Sequence, residues 1–225
     1  MPILTINSTN GEVPPRLLSA DQGAAGRCRA GAGRVTGDRR LLQIIIQGRG
    51  GQGAQTAGNL LAKAFFADGR QVQAFSSYGG ARRGTPVSSY IRVDERPIRL
   101  RCDIERADAI LCFDATLLDA RLLAAARPNT LVVVNSARSP EEFGRSLPGY
   151  RVIPVDAIGI SRRRGLGRIV NSALLGAFGR AIEVLPFEVL TRTLGEEAPK
   201  LQEENIAACG DGWACADALL QKAAA

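Results

Sequence analysis

Residues 44–65, IIIQGRGGQGAQTAGNLLAKAF, decide the fold class of this chain. The three isoleucines are typical of a strand that is buried on both faces, and the apolar residues from Ala54 onward recur at helical spacing. Between them, Gly48, Gly50 and Gly53 have the spacing of a dinucleotide-binding fingerprint, in which glycines let the backbone turn tightly. The stretch predicts a strand, a glycine loop and a helix whose positive end could face an anion.

Short apolar runs alternate with helical patterns through the rest of the chain. The runs at 41–47, 70–76, 107–113, 130–136 and 150–157 predict strands, and the patterns at 52–68, 117–127, 170–185, 186–194 and 199–209 predict helices. Residues 87–93 alternate, which predicts a strand paired at an edge. Asp114 and Thr116 are placed to cap the helix at 117–127. The order predicts an α/β fold, with an open, mostly parallel, Rossmann-like sheet flanked by helices.

The first part of the chain has a different composition. Residues 1–39 are rich in Pro, Gly, Ala and Arg and lack a periodic apolar face. We expect an extended arm docked on a partner subunit, followed by one domain over 40–225. The first residues carry no basic start with a following apolar block, and no apolar run approaches the roughly 18 residues of a spanning helix. We therefore expect a cytoplasmic protein that contacts no membrane.

Composition excludes several kinds of site. The chain has no histidine, so a Ser–His or Cys–His nucleophile cannot be built within it. Its 5 cysteines are odd in number and none forms a C-x-x-C pair, which favours reduced thiols and argues against a metal or iron–sulfur site in this chain alone. The net charge of +7 suits an acidic partner, a phosphorylated ligand or nucleic acid. Nucleic acid is the least favoured, since the arginine clusters lack interleaved aromatic residues.

The glycine loop lacks one part of a nicotinamide site. Such a site needs a carboxylate about 20 residues further on, at the end of the second strand. That position falls in residues 73–80, QAFSSYGG, which contain no acid. Arg82 and Arg83 follow and could instead meet a phosphate of NADP or coenzyme A. The residues alone leave three uses open for the loop: a phosphate site, a subunit contact, or a plain junction of strand and helix.

Several motifs occur together in the order of one known family. They are GRGGQGAQTAGNLLAKAF, AFSSYGGARRGTPVSSYIRV, RPIRLR, ADAILCFDATLL, VVVNS and RIVNSALLGAF. Over residues 42–195 the chain resembles the gamma subunit, or gamma domain, of the 2-oxoacid:acceptor oxidoreductases, such as pyruvate:ferredoxin oxidoreductase. The resemblance implies a complex that decarboxylates a 2-oxoacid such as pyruvate to an acyl-CoA and passes electrons to ferredoxin or another acceptor.

The resemblance also implies which subunits of the complex hold the cofactors. Thiamine diphosphate, Mg²⁺ and iron–sulfur clusters would lie on alpha, beta and delta-type partner subunits, while this chain would be non-catalytic and act in assembly and in the placement of coenzyme A. The cofactor-binding residues carried over are the glycine loop and two arginines: Gly48, Arg49, Gly50, Gly51, Gln52, Gly53, Arg82 and Arg83. Arg49, Arg82 and Arg83 would face a neighbouring subunit, where they bind either coenzyme A phosphates or partner carboxylates.

Three further expectations concern single features. Asn171, at the start of the helix after RIV, is expected to cap that helix. Residues 210–212 begin a thiamine diphosphate motif, but no Asn follows to complete it, so we interpret them as a turn. Residues 162–164 are interpreted as a solvated or interfacial face. The alternative function is a free-standing α/β protein that binds NADP or coenzyme A.

Overall fold

Within the described residues, the fold is built on one sheet of seven strands. The computed structural model describes residues 4–6, 41–78, 84–198 and 200–224. The strands are β1 (Leu4–Ile6), β2 (Leu42–Arg49), β3 (Gln71–Tyr78), β4 (Pro86–Asp94), β5 (Ala107–Cys112), β6 (Ala126–Asn135) and β7 (Arg151–Val155). The helices are α1 (Ala54–Ala67), α2 (Ala120–Leu123), α3 (Pro140–Ser146), α4 (Ala157–Arg163), α5 (Asn171–Ile182), α6 (Phe187–Glu197) and α7 (Gln202–Ala224).

The spatial order of the strands is β1-β3-β4-β2-β5-β6-β7. Parallel pairs join β2 to β5, β5 to β6 and β6 to β7. β4 is antiparallel to both β2 and β3, and β1 is antiparallel to β3. Five strands, β2, β3, β5, β6 and β7, therefore share one direction. The predicted α/β class, with an open and mostly parallel sheet flanked by helices, is confirmed.

The sheet has a hydrophobic core on each face, and the isoleucines of β2 contribute to both cores. Ile44 and Ile46 point to the larger core, which lies against α1, α5, α6 and α7, whereas Ile45 points to a smaller core on the other face. All three side chains are at most 3% exposed. A parallel strand covered on both faces needs apolar residues in succession, so β2 is apolar without alternation.

β4 is an interior strand, so the expectation that residues 87–93 pair at an edge was wrong. Ile91 pairs with Ile44 on β2 and with Ala74 on β3. Ile91 is fully buried on the α1 side, whereas Tyr90 on the opposite face is only half-buried. Alternation of apolar and polar residues indicates only that one face of a strand is partly open to solvent. Interior strands can have such a face as well as edge strands.

The helix expected at 117–127 is replaced by shorter elements. Asp114 caps a 3-10 turn, Ala115–Leu117, and Asp119 then accepts a hydrogen bond from the Leu122 N–H and starts α2. From Ala126 the chain pairs with β5 and belongs to β6. The second cap and the strand pairing together limit the helix to one turn.

Residues 210–212 are not a turn, as we had interpreted them, but lie inside α7. Gly212 is needed there for packing, because a Cβ at this position would overlap the carbonyl oxygen of Ala173 on α5. The mutual position on α5 is Gly176, where a Cβ would overlap the carbonyl oxygen of Cys209. The glycines therefore allow α5 and α7 to approach closely, and α7 continues through residues 210–212 without a turn.

The predicted arm is described only at Leu4–Ile6. These residues add β1 antiparallel to β3, with Leu4 opposite Ala74 and Ile6 opposite Val72. The rest of residues 1–39 lies outside the described residues, so docking of the arm on a partner remains a prediction. In the described ranges, no helix combines the length and apolar character needed to cross a membrane.

Candidate functional site

The glycine loop lies at the carboxyl end of β2, where the chain passes into α1. Gly51 and Gly53 both have a φ of 93°, in the left-handed region that favours glycine. A Cβ on Gly48 would lie 2.8 Å from the Cβ of Ala54, so β2 and α1 can meet only if this residue is glycine. The predicted strand, loop and helix are present, and two left-handed glycines form the turn.

Arg49 and Gln52 are engaged within the chain. The Arg49 Nε donates to Oδ2 of Asp114 at 2.9 Å, and its Nη2 donates to Thr116 Oγ1 at 2.8 Å. The backbone N–H of Arg49 donates to Gln52 Oε1 at 2.7 Å, and Gln52 Nε2 lies 3.4 Å from Asp114 Oδ2. These contacts join the glycine loop to the turn after β5. The Arg49 side chain is 37% exposed, so it also has access to solvent.

Asp114 is the centre of this network. Partial burial acts to raise the pKa of its carboxyl, but hydrogen bonds from Thr116, Arg49 and Gln52 outweigh burial, and the pKa is lowered. Hydrogen bonds to the charged form stabilise that form, which is the direction seen here. Asp114 therefore acts as a fixed negative group that holds the loop, and it is poorly suited to proton transfer near neutral pH.

Gly84 and Thr85, which follow Arg82 and Arg83 in the sequence, are hydrogen-bonded to the glycine loop. The Gly50 N–H donates to the Thr85 carbonyl at 2.9 Å, and the Gly84 N–H donates to the Gly50 carbonyl at 3.2 Å. Arg82 and Arg83 lie outside the described residues, so their predicted roles stay predictions. Gly84, the neighbour of Arg83 in the sequence, nevertheless contacts the glycine loop directly.

A cleft of about 600 Å³ opens beside the glycine loop at the carboxyl ends of the parallel strands. Its lining comprises Gly50, Gly51, Gln52, Phe113, Asn135, Ile158, Arg162, Gly167, Arg168 and Val170. The carboxyl edge is where open α/β sheets bind their ligands. Guanidinium groups bind anions well, and phosphate groups in particular, so Arg162 and Arg168 make this cleft favourable for an anion.

Arg162 and Arg168 are the part of this site that sequence reasoning missed. Among the ion pairs and side-chain hydrogen bonds between described residues, none involves either guanidinium. Both residues are exposed, and they line the cleft together with Gly50 and Gly51. The available signal was their position after β7, since helices and loops that follow parallel strands lie at the carboxyl edge.

A nicotinamide site fits this arrangement poorly. In the usual dinucleotide fold the second strand lies next to the first, and its acid reaches the ribose. Here β4 lies between β2 and β3, and β3 carries no acid in Gln71–Tyr78. The structure therefore agrees with the sequence in disfavouring the classical NAD interpretation.

Asn171 is the first residue of α5, and the expectation that it caps the helix was wrong. Val170 is at the cap position, and no side-chain hydrogen bond caps the helix. The Asn171 amide packs against Gly53 instead, where a Cβ would lie 2.5 Å from Oδ1. Asn171 thus fixes α5 against the start of α1 and gives a second reason for glycine at position 53.

The described cysteines are free thiols. Burial raises the pKa of Cys112 to about 12 and that of Cys209 to about 12, so both stay protonated at neutral pH. In the described part of the chain, no group of three or more His, Cys, Asp and Glu side chains could hold a metal ion.

Comparison with known proteins places these features in one family. The family model described as pyruvate ferredoxin/flavodoxin oxidoreductase matches residues 43–215. The pyruvate/ketoisovalerate oxidoreductases common subunit gamma of Thermococcus kodakarensis is 38% identical over 176 residues, which cover 73% of this chain and 95% of the relative. Pyruvate synthase subunit PorC of Methanocaldococcus jannaschii is 36% identical over 170 residues, or 75% of this chain and 93% of that protein.

A solved structure has the same fold. The crystal structure of a pyruvate oxidoreductase subunit, PORC, from Thermotoga maritima is similar with a TM-score of 0.68 and 28% identity. The similarity covers 77% of this chain and 96% of the Thermotoga chain. The match therefore extends over nearly the whole of the other subunit.

Proposed function

Because this chain belongs to the pyruvate ferredoxin/flavodoxin oxidoreductase family, we propose that it is the gamma subunit of a multi-subunit oxidoreductase that acts on a 2-oxoacid. Two of its relatives are named as gamma or PorC subunits, and they match over more than nine-tenths of their length. The family membership covers the glycine loop, the cleft and most of α7. The subunit role is the function that these matches support best.

The complex would carry out an oxidative decarboxylation. The 2-oxoacid loses CO₂, the acyl group is transferred to the sulfur of coenzyme A, and the electrons released go to ferredoxin or another acceptor. Thiamine diphosphate, Mg²⁺ and iron–sulfur clusters would reside on alpha, beta and delta-type subunits. The names of the relatives include pyruvate and ketoisovalerate, so the substrate of this complex is proposed only as a 2-oxoacid.

For this chain we infer a role in placing coenzyme A. One observation carries this inference: the guanidinium groups of Arg162 and Arg168, which pair with no other described residue, line a cleft with the glycine loop. Coenzyme A carries a diphosphate and a further phosphate on its ribose, and such groups bind arginine side chains well. Arg82 and Arg83 precede Gly84, whose N–H donates to the glycine loop, and we propose that they add positive charge for the same ligand. The chain would bind and orient the phosphates, while the chemistry takes place on partner subunits.

Steady-state kinetics of the intact complex test this role. Replacing Arg162 and Arg168 together (Arg162→Ala, Arg168→Ala) should raise the KM for coenzyme A at least tenfold, because each lost charged hydrogen bond costs about 1.5–3 kcal/mol. The KM for the 2-oxoacid should stay unchanged, since the substitutions leave the thiamine-binding subunits intact. Arg82→Ala with Arg83→Ala should act in the same direction.

Arg163→Ala is the matched control. Arg163 is an exposed neighbour of Arg162 on α4 and does not line the cleft, so its loss should leave both KM values unchanged. If the KM for coenzyme A is the same in the double variant and in the control, the glycine loop and its arginines serve protein contacts and not ligand placement.

A further inference from the structure

The face of β3 and β4 opposite α1 carries an apolar surface that the cleft beside the glycine loop does not include. On this face Phe75 and Tyr90 stack with ring centroids 5.1 Å apart, and both side chains are only half-buried. The Arg92 guanidinium lies 5.5 Å from the Phe75 ring centre. β3 and β4 are an antiparallel pair, and such a pair can have one face open to solvent. Stacked aromatic rings on that face form an apolar patch of the kind that a partner covers.

An irregular segment, residues 95–106, lies over part of this face and is held by a buried charge. Arg92 is 1% exposed, and its Nη2 donates to the carbonyls of Cys102 at 2.7 Å and Asp103 at 3.2 Å. Its Nη1 donates to Gln73 Oε1, and Gln73 Nε2 donates to the Leu100 carbonyl, both at 2.8 Å. Burying a charge is costly, and here the charge binds backbone carbonyls of a segment without regular structure. These hydrogen bonds attach the segment to the sheet at the carbonyls of Leu100, Cys102 and Asp103.

The middle of this segment exposes three arginines around one apolar side chain. Arg96, Arg99 and Arg101 are exposed, and Leu100 is 40% exposed between the last two. Residues 96–101 contain no acid, although acids occur at both ends of the segment. No ion pair or side-chain hydrogen bond among the described residues involves these three guanidinium groups. Such a preordered arrangement of arginine and apolar groups is typical of protein interfaces.

We propose that Phe75, Tyr90 and the segment 96–101 form a docking surface for an acidic face of another subunit of the same oxidoreductase complex. This inference rests on the proposed subunit role. Acidic side chains on the partner would pair with the arginines, and an apolar contact would cover Leu100 and the stacked rings.

Two other candidates for covering this docking surface complement its positive charge less well. A second copy of this chain, placed on the surface by a two-fold axis, would bring the same arginines against each other. Residues 7–40 of this chain carry six arginines and three acidic residues, so they are themselves basic. Like charges across an interface are unfavourable, which leaves an acidic partner as the complementary occupant.

Cross-linking in the intact complex tests the proposal. Leu100 is replaced by the photoreactive amino acid benzoylphenylalanine in the full chain, the complex is purified and irradiated, and cross-linked peptides are identified by mass spectrometry. The expected product joins position 100 to an acidic stretch of another subunit. A product that joins it to residues 7–40, or to a second copy of this chain, overturns the proposal, and so does the absence of any product with a complete complex.

Charge reversal gives an independent measurement. Arg99→Glu with Arg101→Glu should lower the amount of partner subunits that co-purify at least tenfold at moderate salt, with the chain itself still folded by circular dichroism. Arg145→Glu with Arg151→Glu is the matched control, because both residues are exposed arginines at another part of the surface. Equal recovery of partners in the two double variants overturns the proposal. If the unchanged chain co-purifies with no partner at all, the proposed subunit role fails as well.

Discussion

At the residue scale, Asp114 holds the glycine loop in place. Its carboxylate accepts hydrogen bonds from Arg49, Gln52 and Thr116, which join the end of β2 to the end of β5. The side chains of Asp114 and Arg49 are 23% and 37% exposed, so solvent weakens their attraction and the geometry of several bonds matters more than the single ion pair.

Asp114→Asn should therefore destabilise the chain by about 1–2 kcal/mol, since the amide keeps the shape but loses the charge and part of the acceptor capacity. Chemical denaturation at pH 7 measures the effect. Glu196→Gln is the control, because Glu196 is exposed and should change stability by less than about 0.5 kcal/mol.

The pH dependence of this difference has a definite sign. The pKa of Asp114 is lowered in the folded chain, so its stabilising contribution is present above the unfolded pKa of about 3.9 and is lost as the pH falls through the lower folded value. The gap between the original chain and Asp114→Asn should be constant from pH 5 to pH 7 and shrink below about pH 4. A gap that grows on acidification contradicts the role given to this carboxylate.

At the element scale, α5 and α7 are held together by glycines that leave no room for a side chain. Gly212 of α7 faces Ala173 of α5, and Gly176 of α5 faces Cys209 of α7. Two helices that approach so closely exclude water and bury their shared surface, which anchors α7 on the core near Phe178 and Leu174.

Gly212→Ala should destabilise the chain by about 1–3 kcal/mol, because the added methyl group forces the helices apart. Gly210→Ala is the matched control two residues away, where a Cβ would make only an ordinary contact with Phe187 at 3.8 Å. That control should be neutral or stabilising by up to about 1 kcal/mol, since alanine favours a helix. Thermal unfolding measures both, and equal effects would show that close packing is not what position 212 requires.

At the scale of the whole molecule, the pattern of apolar residues predicts the α/β class, because Ile44–Ile46 must be buried on both faces. The place of β4 in the sheet could not be predicted in the same way, since its alternation reports only a partly open face and not its neighbours. The composition of residues 210–212 is typical of a turn. The reason for a glycine inside a helix here is the close packing against α5, which is distant in the sequence. The fold brings Arg162 and Arg168 to the same cleft as the glycine loop. No motif in the sequence around these arginines indicates that position.

Isolation of the tagged full chain from cells at its natural level tests the proposed subunit role most directly, because it identifies what accompanies the chain. We expect larger subunits that carry thiamine diphosphate and iron–sulfur clusters, and a complex that reduces a redox dye when a 2-oxoacid and coenzyme A are supplied. Omission of coenzyme A should lower that rate. A stable monomer without partners, and without 2-oxoacid-dependent dye reduction in any fraction that contains the chain, would rule out the subunit role.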